Sequence, residues 1–116
     1  MPASFFALTL LAAACLAGRG VTTNLVRMGN YFFTPTNLTI NIGDTVTWSN
    51  TVLSPPHDTT GPSNLWASSQ FASPNKFSFT FSNAGNYPYV CAIHTSAHPE
   101  QTGLVTVASE IGRAHV

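Results

Sequence analysis

The chain is short of charge. Only 7% of its 116 residues are charged, and four basic and four acidic side chains give a formal net charge of zero. That excludes the basic stripe of a nucleic-acid binder and the like-charge block of an acidic tail. It also leaves weak long-range steering toward a partner, so solubility rests on Ser, Thr and Asn. Helical periodicity is missing too: beyond Asn24 no stretch shows it over a useful length, and no internal repeat or low-complexity tract is present. No nucleophile–base pair stands out. The length leaves room for one domain with a two-layer core. Cysteine is nearly absent, with only Cys15 and Cys91.

Cys15 lies within the apolar run Phe5-Phe6-Ala7-Leu8-Thr9-Leu10-Leu11-Ala12-Ala13-Ala14-Cys15-Leu16-Ala17-Gly18. This run is too short to span a membrane and has the length of a signal-peptide core, with cleavage expected after Ala14 or Ala17. Residues 1–17 are therefore read as a leader, although no Lys or Arg precedes Phe5. Ala12-Ala13-Ala14-Cys15 also faintly resembles a bacterial lipoprotein box, which keeps a lipid anchor at Cys15 open as the alternative to simple cleavage. Either way the mature form has no membrane span and is expected in the periplasm, secreted, or anchored at a membrane surface. Cys91 is then a lone thiol with no disulfide partner in an oxidising compartment. Metal ligation would account for it.

What is present in place of helices is period-2 alternation. Leu38, Ile40 and Ile42 alternate with Thr39 and Asn41; Val46 and Trp48 alternate with Thr45, Thr47 and Ser49; Phe77, Phe79 and Phe81 alternate with Ser78 and Thr80. Each set predicts a strand with one apolar face, and the three phenylalanines are expected at the centre of the core. Gly43-Asp44 and Asn83-Ala84-Gly85-Asn86 supply turns. Pro55, Pro56, Pro62 and Pro74 break the pattern over about 51–75. That stretch is expected to cross irregularly between two sheets, with a helical turn near Leu65-Trp66. The whole reads as an all-β sandwich or barrel.

The chemistry concentrates in Cys91-Ala92-Ile93-His94, entered by Gly85-Asn86-Tyr87-Pro88-Tyr89-Val90 and followed by Gly103-Leu104-Val105-Thr106-Val107. A thiolate and an imidazole three residues apart between two strands can hold a soft transition metal from one loop. His57, in Ser54-Pro55-Pro56-His57-Asp58, offers a second imidazole from another loop. One sulfur and two nitrogens form the trigonal set of an electron-transfer copper centre, with zinc the main competitor.

The order Phe33 to Asn50, then Pro56-His57-Asp58, then Phe77 to Phe81, then Gly85 to His94 resembles the cupredoxins of the plastocyanin, pseudoazurin and amicyanin group, over about Leu25 to Val107. The resemblance implies a two-sheet Greek-key β-sandwich over 24–108, followed by a tail at 109–116 in which His115 is idle. It implies one copper ion held by His57, Cys91 and His94, and electron exchange with redox partner proteins by a monomer that binds no nucleic acid. In most of the family a Met stands two residues before the Gly that opens the last strand, and here that place is taken by Gln101. Gln101 is thus the expected axial donor, as in the stellacyanin branch, with His98 and Glu100 competing on a loop about two residues longer than in plastocyanin. Asp58 stands where the family often has an Asn that bonds across to the Cys loop; it either holds that loop in another way or caps a turn. A copper enzyme or sensor with an unusual axial ligand is the alternative function, and a metal-free adhesion module the third.

Overall fold

Threonine and serine on one side and bulky apolar groups on the other make β4 (Thr45–Asn50) the axis of the first sheet. Val46 and Trp48 are fully buried, while the Thr45 and Thr47 hydroxyls pair at 2.7 Å with Thr80 and Ser78 on the opposite face. The computed structural model describes residues 23–109. The expected leader, Cys15 and His115 lie outside the described residues.

Within these residues the other strands are β1 (Thr23–Gly29), β2 (Phe32–Thr34), β3 (Asn37–Asn41), β5 (Lys76–Thr80), β6 (Gly85–Val90) and β7 (Thr102–Ala108). They form two mixed sheets packed as a β-sandwich, ordered β2-β1-β4-β5 and β3-β7-β6. β1 runs parallel to β4, with Val26 beside Trp48, and β3 runs parallel to β7, with Leu38 beside Val105; the remaining pairs are antiparallel. Pro88 is accommodated in β6 because that strand is an edge and need not donate on its outer side. The turn before β4 uses Gly43 at φ +95°, a conformation open to glycine, and Asp44 Oδ2 accepts from the Asn41 N–H at 2.9 Å.

The core is centred on Trp48, Trp66 and Tyr89, not on the three phenylalanines. Trp48 stacks on Trp66 at 5.4 Å and meets Tyr89 edge-on at 5.4 Å, and Phe33 closes on Tyr89 at 4.7 Å. Phe81 is buried as expected, but Phe77 and Phe79 are only partly covered because β5 is an edge strand. Ile42 also departs from expectation: β3 ends at Asn41, so Ile42 falls in the turn and is exposed. The irregular stretch 51–75 does not cross between sheets. It leaves β4 and returns to β5 beside it, touching the other sheet on the way through a Thr60–Val90 bridge. Its short 3-10 turn is Pro62–Asn64, just before Leu65, and Trp66 then turns into the core.

Candidate metal centre

Three connections meet at one end of the sandwich: the β1–β2 turn, the β4–β5 segment and the β6–β7 loop. In the β4–β5 segment, Pro55 and Pro56 restrict the backbone leading to His57. His57 and Phe71 then exchange both backbone hydrogen bonds at 3.1 and 2.9 Å, and buried Asn50 donates its side-chain amide to the Phe71 carbonyl at 2.8 Å. His57 is fully buried and has little freedom to move. In the β6–β7 loop, Cys91 precedes a 3-10 turn, Ala92–His94. The loop is tied at its base by the Cys91 N–H to the Gln101 carbonyl at 3.2 Å, and inside by the His98 N–H to the His94 carbonyl at 2.6 Å.

His57 Nδ1, Cys91 Sγ and His94 Nδ1 face one another. The nitrogens are 3.1 Å apart, and the sulfur is 3.3 Å from His94 and 3.8 Å from His57. A triangle of those sides has a circumcentre about 2.0 Å from each atom, close to metal–nitrogen and metal–thiolate lengths of about 2.0 to 2.3 Å. The residues present therefore fit one small transition-metal ion. Among the described residues this is the one His/Cys/Asp/Glu group of three or more so gathered. Burial, with His94 alongside, lowers the proton affinity of His57, while Gln101 and Asp58 oppose that shift; burial likewise pushes the Cys91 thiol up. Both shifts come chiefly from placing charge where water does not reach.

Asp58 is the clamp between the two loops. Its carboxylate, nearly inaccessible, accepts from the Ala92 N–H at 2.9 Å, the Ile93 N–H at 3.0 Å and the Thr60 hydroxyl at 2.9 Å. Its own N–H donates to Cys91 Sγ at 3.3 Å. The two readings left open by the sequence resolve in favour of the cross-loop one: where an Asn side chain could donate, the Asp accepts from the loop backbone.

Gln101 is buried and turned toward the same place. Its side-chain amide donates to the carbonyls of Gly29 at 3.1 Å and Phe32 at 3.4 Å, and the amide oxygen is left buried without a well-formed hydrogen bond among the described residues, near enough to His57 for Gln101 to favour the protonated imidazole. An orphaned acceptor of this kind requires an explanation. His98 and Glu100 are placed differently. The His98 ring lies flat on Tyr31 at 3.5 Å and its Nδ1 meets the Glu100 carboxylate at 3.1 Å, with Glu100 in solvent.

Two residues that no local pattern singles out complete the surroundings. Asn30 Oδ1 lies 2.8 Å from His57 Nε2, and Tyr31 sets its ring edge-on to His57 at 5.7 Å and to His94 at 5.0 Å. Both belong to the β1–β2 turn, where an Asn reads only as turn chemistry. The sequence distance to His57 hides the contact.

No protein-family model and no curated protein matches the chain. Solved structures do. The chain is similar to a purple cupredoxin from Nitrosopumilus maritimus, at 32% identity over 73% of this chain and 99% of that one, with a TM-score of 0.61. It is similar to the oxidised form of an amicyanin variant at 27% identity, over 73% and 81% of the two chains, with a TM-score of 0.63. A copper-containing nitrite reductase from Thermus scotoductus, at 23% identity and covered over 23% of its length, shares the fold.

Proposed function

We propose that this chain, which belongs to the cupredoxin family, is a mononuclear copper protein that carries single electrons, with His57, Cys91 and His94 as strong donors and Gln101 as a weak fourth. The observation that carries the reading is the donor triangle of buried His57 and Cys91 and half-buried His94, whose atoms stand at ligand spacing. Bound copper supplies the one-electron couple. The chain supplies rigidity. His57 is locked by its backbone bridge to Phe71, and the Cys91–His94 turn is locked by Asp58, so the same donor positions serve both oxidation states and little rearrangement accompanies electron transfer. Asp58 N–H steadies the sulfur as a thiolate, offsetting part of the burial that otherwise favours the thiol. Metal uptake must therefore release the Cys91 proton.

The orphaned Gln101 oxygen supports Gln101 over its competitors, because His98 and Glu100 are engaged with Tyr31 and with each other. His94 is the donor nearest the surface, half-buried between exposed Ile93 and Thr95, and is the natural exit toward donor and acceptor proteins. Among the described residues no helix is long and apolar enough to cross a membrane. Work in the periplasm or outside the cell is supported by the apolar run Phe5–Ala17 and the single mature thiol, and mass analysis of the native protein checks it.

The deciding experiment is absorption and electron-paramagnetic-resonance spectroscopy of copper-loaded protein. An intense thiolate-to-copper band that disappears in Cys91→Ser is the expected result. A colourless complex under oxidising conditions, with the copper as Cu(II), or colour that survives the substitution, refutes the assignment.

A further inference from the structure

We infer that Asn30 is a positioning residue of the centre: its side-chain oxygen selects the His57 tautomer that turns an unprotonated Nδ1 toward Cys91 and His94. The inference rests on the metal-site reading above but acts on the imidazole before any ion arrives. A neutral imidazole carries one proton, and a side-chain amide oxygen can only accept. With Asn30 Oδ1 at 2.8 Å from Nε2, the proton belongs on Nε2. The lone pair then sits on Nδ1, which faces His94 Nδ1 at 3.1 Å and Cys91 Sγ at 3.8 Å. Were the proton on Nδ1 it would point into the donor triangle and block it.

His57 is fully buried, so no bulk water competes to set the tautomer. Its backbone N–H and carbonyl are both taken by Phe71, and neither of them fixes the ring. Tyr31, next in the chain, stands edge-on to the His57 and His94 rings and is covered on one face by His98. The β1–β2 turn thus acts as a bracket, with Asn30 fixing the proton and Tyr31 limiting ring tilt. Hydrogen bonding of the outer nitrogen to an acceptor also raises the donor strength of the inner one.

The test reads the tautomer directly, by long-range proton–nitrogen correlation of the imidazole in metal-free protein. Wild type should show Nε2–H and bare Nδ1 for His57. Asn30→Ala should lose that preference, and its copper affinity should fall about 10–100-fold. Asn30→Asp, which keeps an acceptor, should restore both. A wild-type His57 protonated at Nδ1, as when the Asn30 amide nitrogen faces the ring, overturns the inference even if Asn30→Ala fails to fold. So does an unchanged Nε2–H tautomer in a folded Asn30→Ala. Failure of the wild type to bind copper with a thiolate band refutes the electron-carrier reading instead, and the metal-free tautomer data then decide the role of Asn30 on their own.

Discussion

Replacing Asp58 with Ala should loosen the metal-binding loop more than any other single change outside the ligands. The carboxylate is buried and accepts two backbone N–H groups from the Cys91–His94 turn, at 2.9 and 3.0 Å, besides the Thr60 hydroxyl. A hydrogen bond to a charged group contributes about 1.5–3 kcal/mol. Ala92 and Ile93 are themselves exposed, so water can partly replace the lost acceptor and the lower end applies. Two such bonds give about 3 kcal/mol, or roughly 10–20 °C in Tm for a domain of this size. Asp58→Asn should cost about half as much, because one amide oxygen can still accept while its NH2 confronts a second N–H. Urea unfolding of the metal-free variants at neutral pH measures both. The backbone N–H of residue 58 survives either change, so the thiolate band of loaded protein should persist, which separates the clamp from the ligands. A loss below about 1 kcal/mol in Asp58→Ala would show that the loop is held by something else.

Gln101→Met should raise the reduction potential with copper still bound, since a thioether is a softer donor than an amide oxygen; Gln101→Ala should disturb the spectrum more than His98→Ala or Glu100→Ala, and the reverse order refutes the axial assignment. Gly103→Ala should destabilise by about 1–3 kcal/mol or more in thermal unfolding, because the added carbon would lie 2.4 Å from the Tyr89 ring, itself wedged between Phe33 and Trp48. The metal-free protein should lose stability as pH falls below the ordinary histidine value of 6.5, since His57 has its proton affinity lowered by burial and the unfolded chain binds that proton first. It should also lose stability as pH rises past the ordinary thiol value of 9.0, since burial raises the Cys91 thiol and the unfolded chain ionises first. Cys91→Ser should remove the onset of the alkaline arm near 9 and leave the later part, above the ordinary tyrosine value of 10.0, where burial pushes Tyr89 up to about 12.

The sequence announced the elements that obey short-range rules. Alternation located β3, β4 and β5, and the close spacing of Cys91 and His94 with the outlying His57 marked the residues that the fold brings together. It failed where the answer depends on neighbours in space. Phe77 and Phe79 carry the cleanest alternation in the chain, yet alternation says nothing about whether a strand lies at an edge, and theirs does. Trp66 sits in a stretch with no period at all and still reaches the core, directed there by the Pro62–Asn64 turn and its indole bond to Thr59 at 2.9 Å. Asn30 and Tyr31 reach the centre only because β1 lies beside β4, a parallel pairing that local patterns do not encode. Asp58 was visible as a departure from a pattern, but its partners are backbone groups of a distant loop, which have no residue signature.

The parallel pairing of β3 with β7 has a consequence for when metal can be acquired. β7 lies between β3 and β6, so the second sheet cannot exist until Thr102–Ala108 has been made and inserted. Until then Gln101 has no anchored strand behind it, the base of the Cys91 loop is open, and Val90 offers Thr60 no fixed place to dock. Contacts so distant in sequence form late, because the chain must first be brought together over its length. A chain still emerging from a ribosome or threading a pore therefore presents scattered side chains, not a binding site. The site can therefore select an ion only once β7 has joined the sheet, from whatever metals the folded chain then meets.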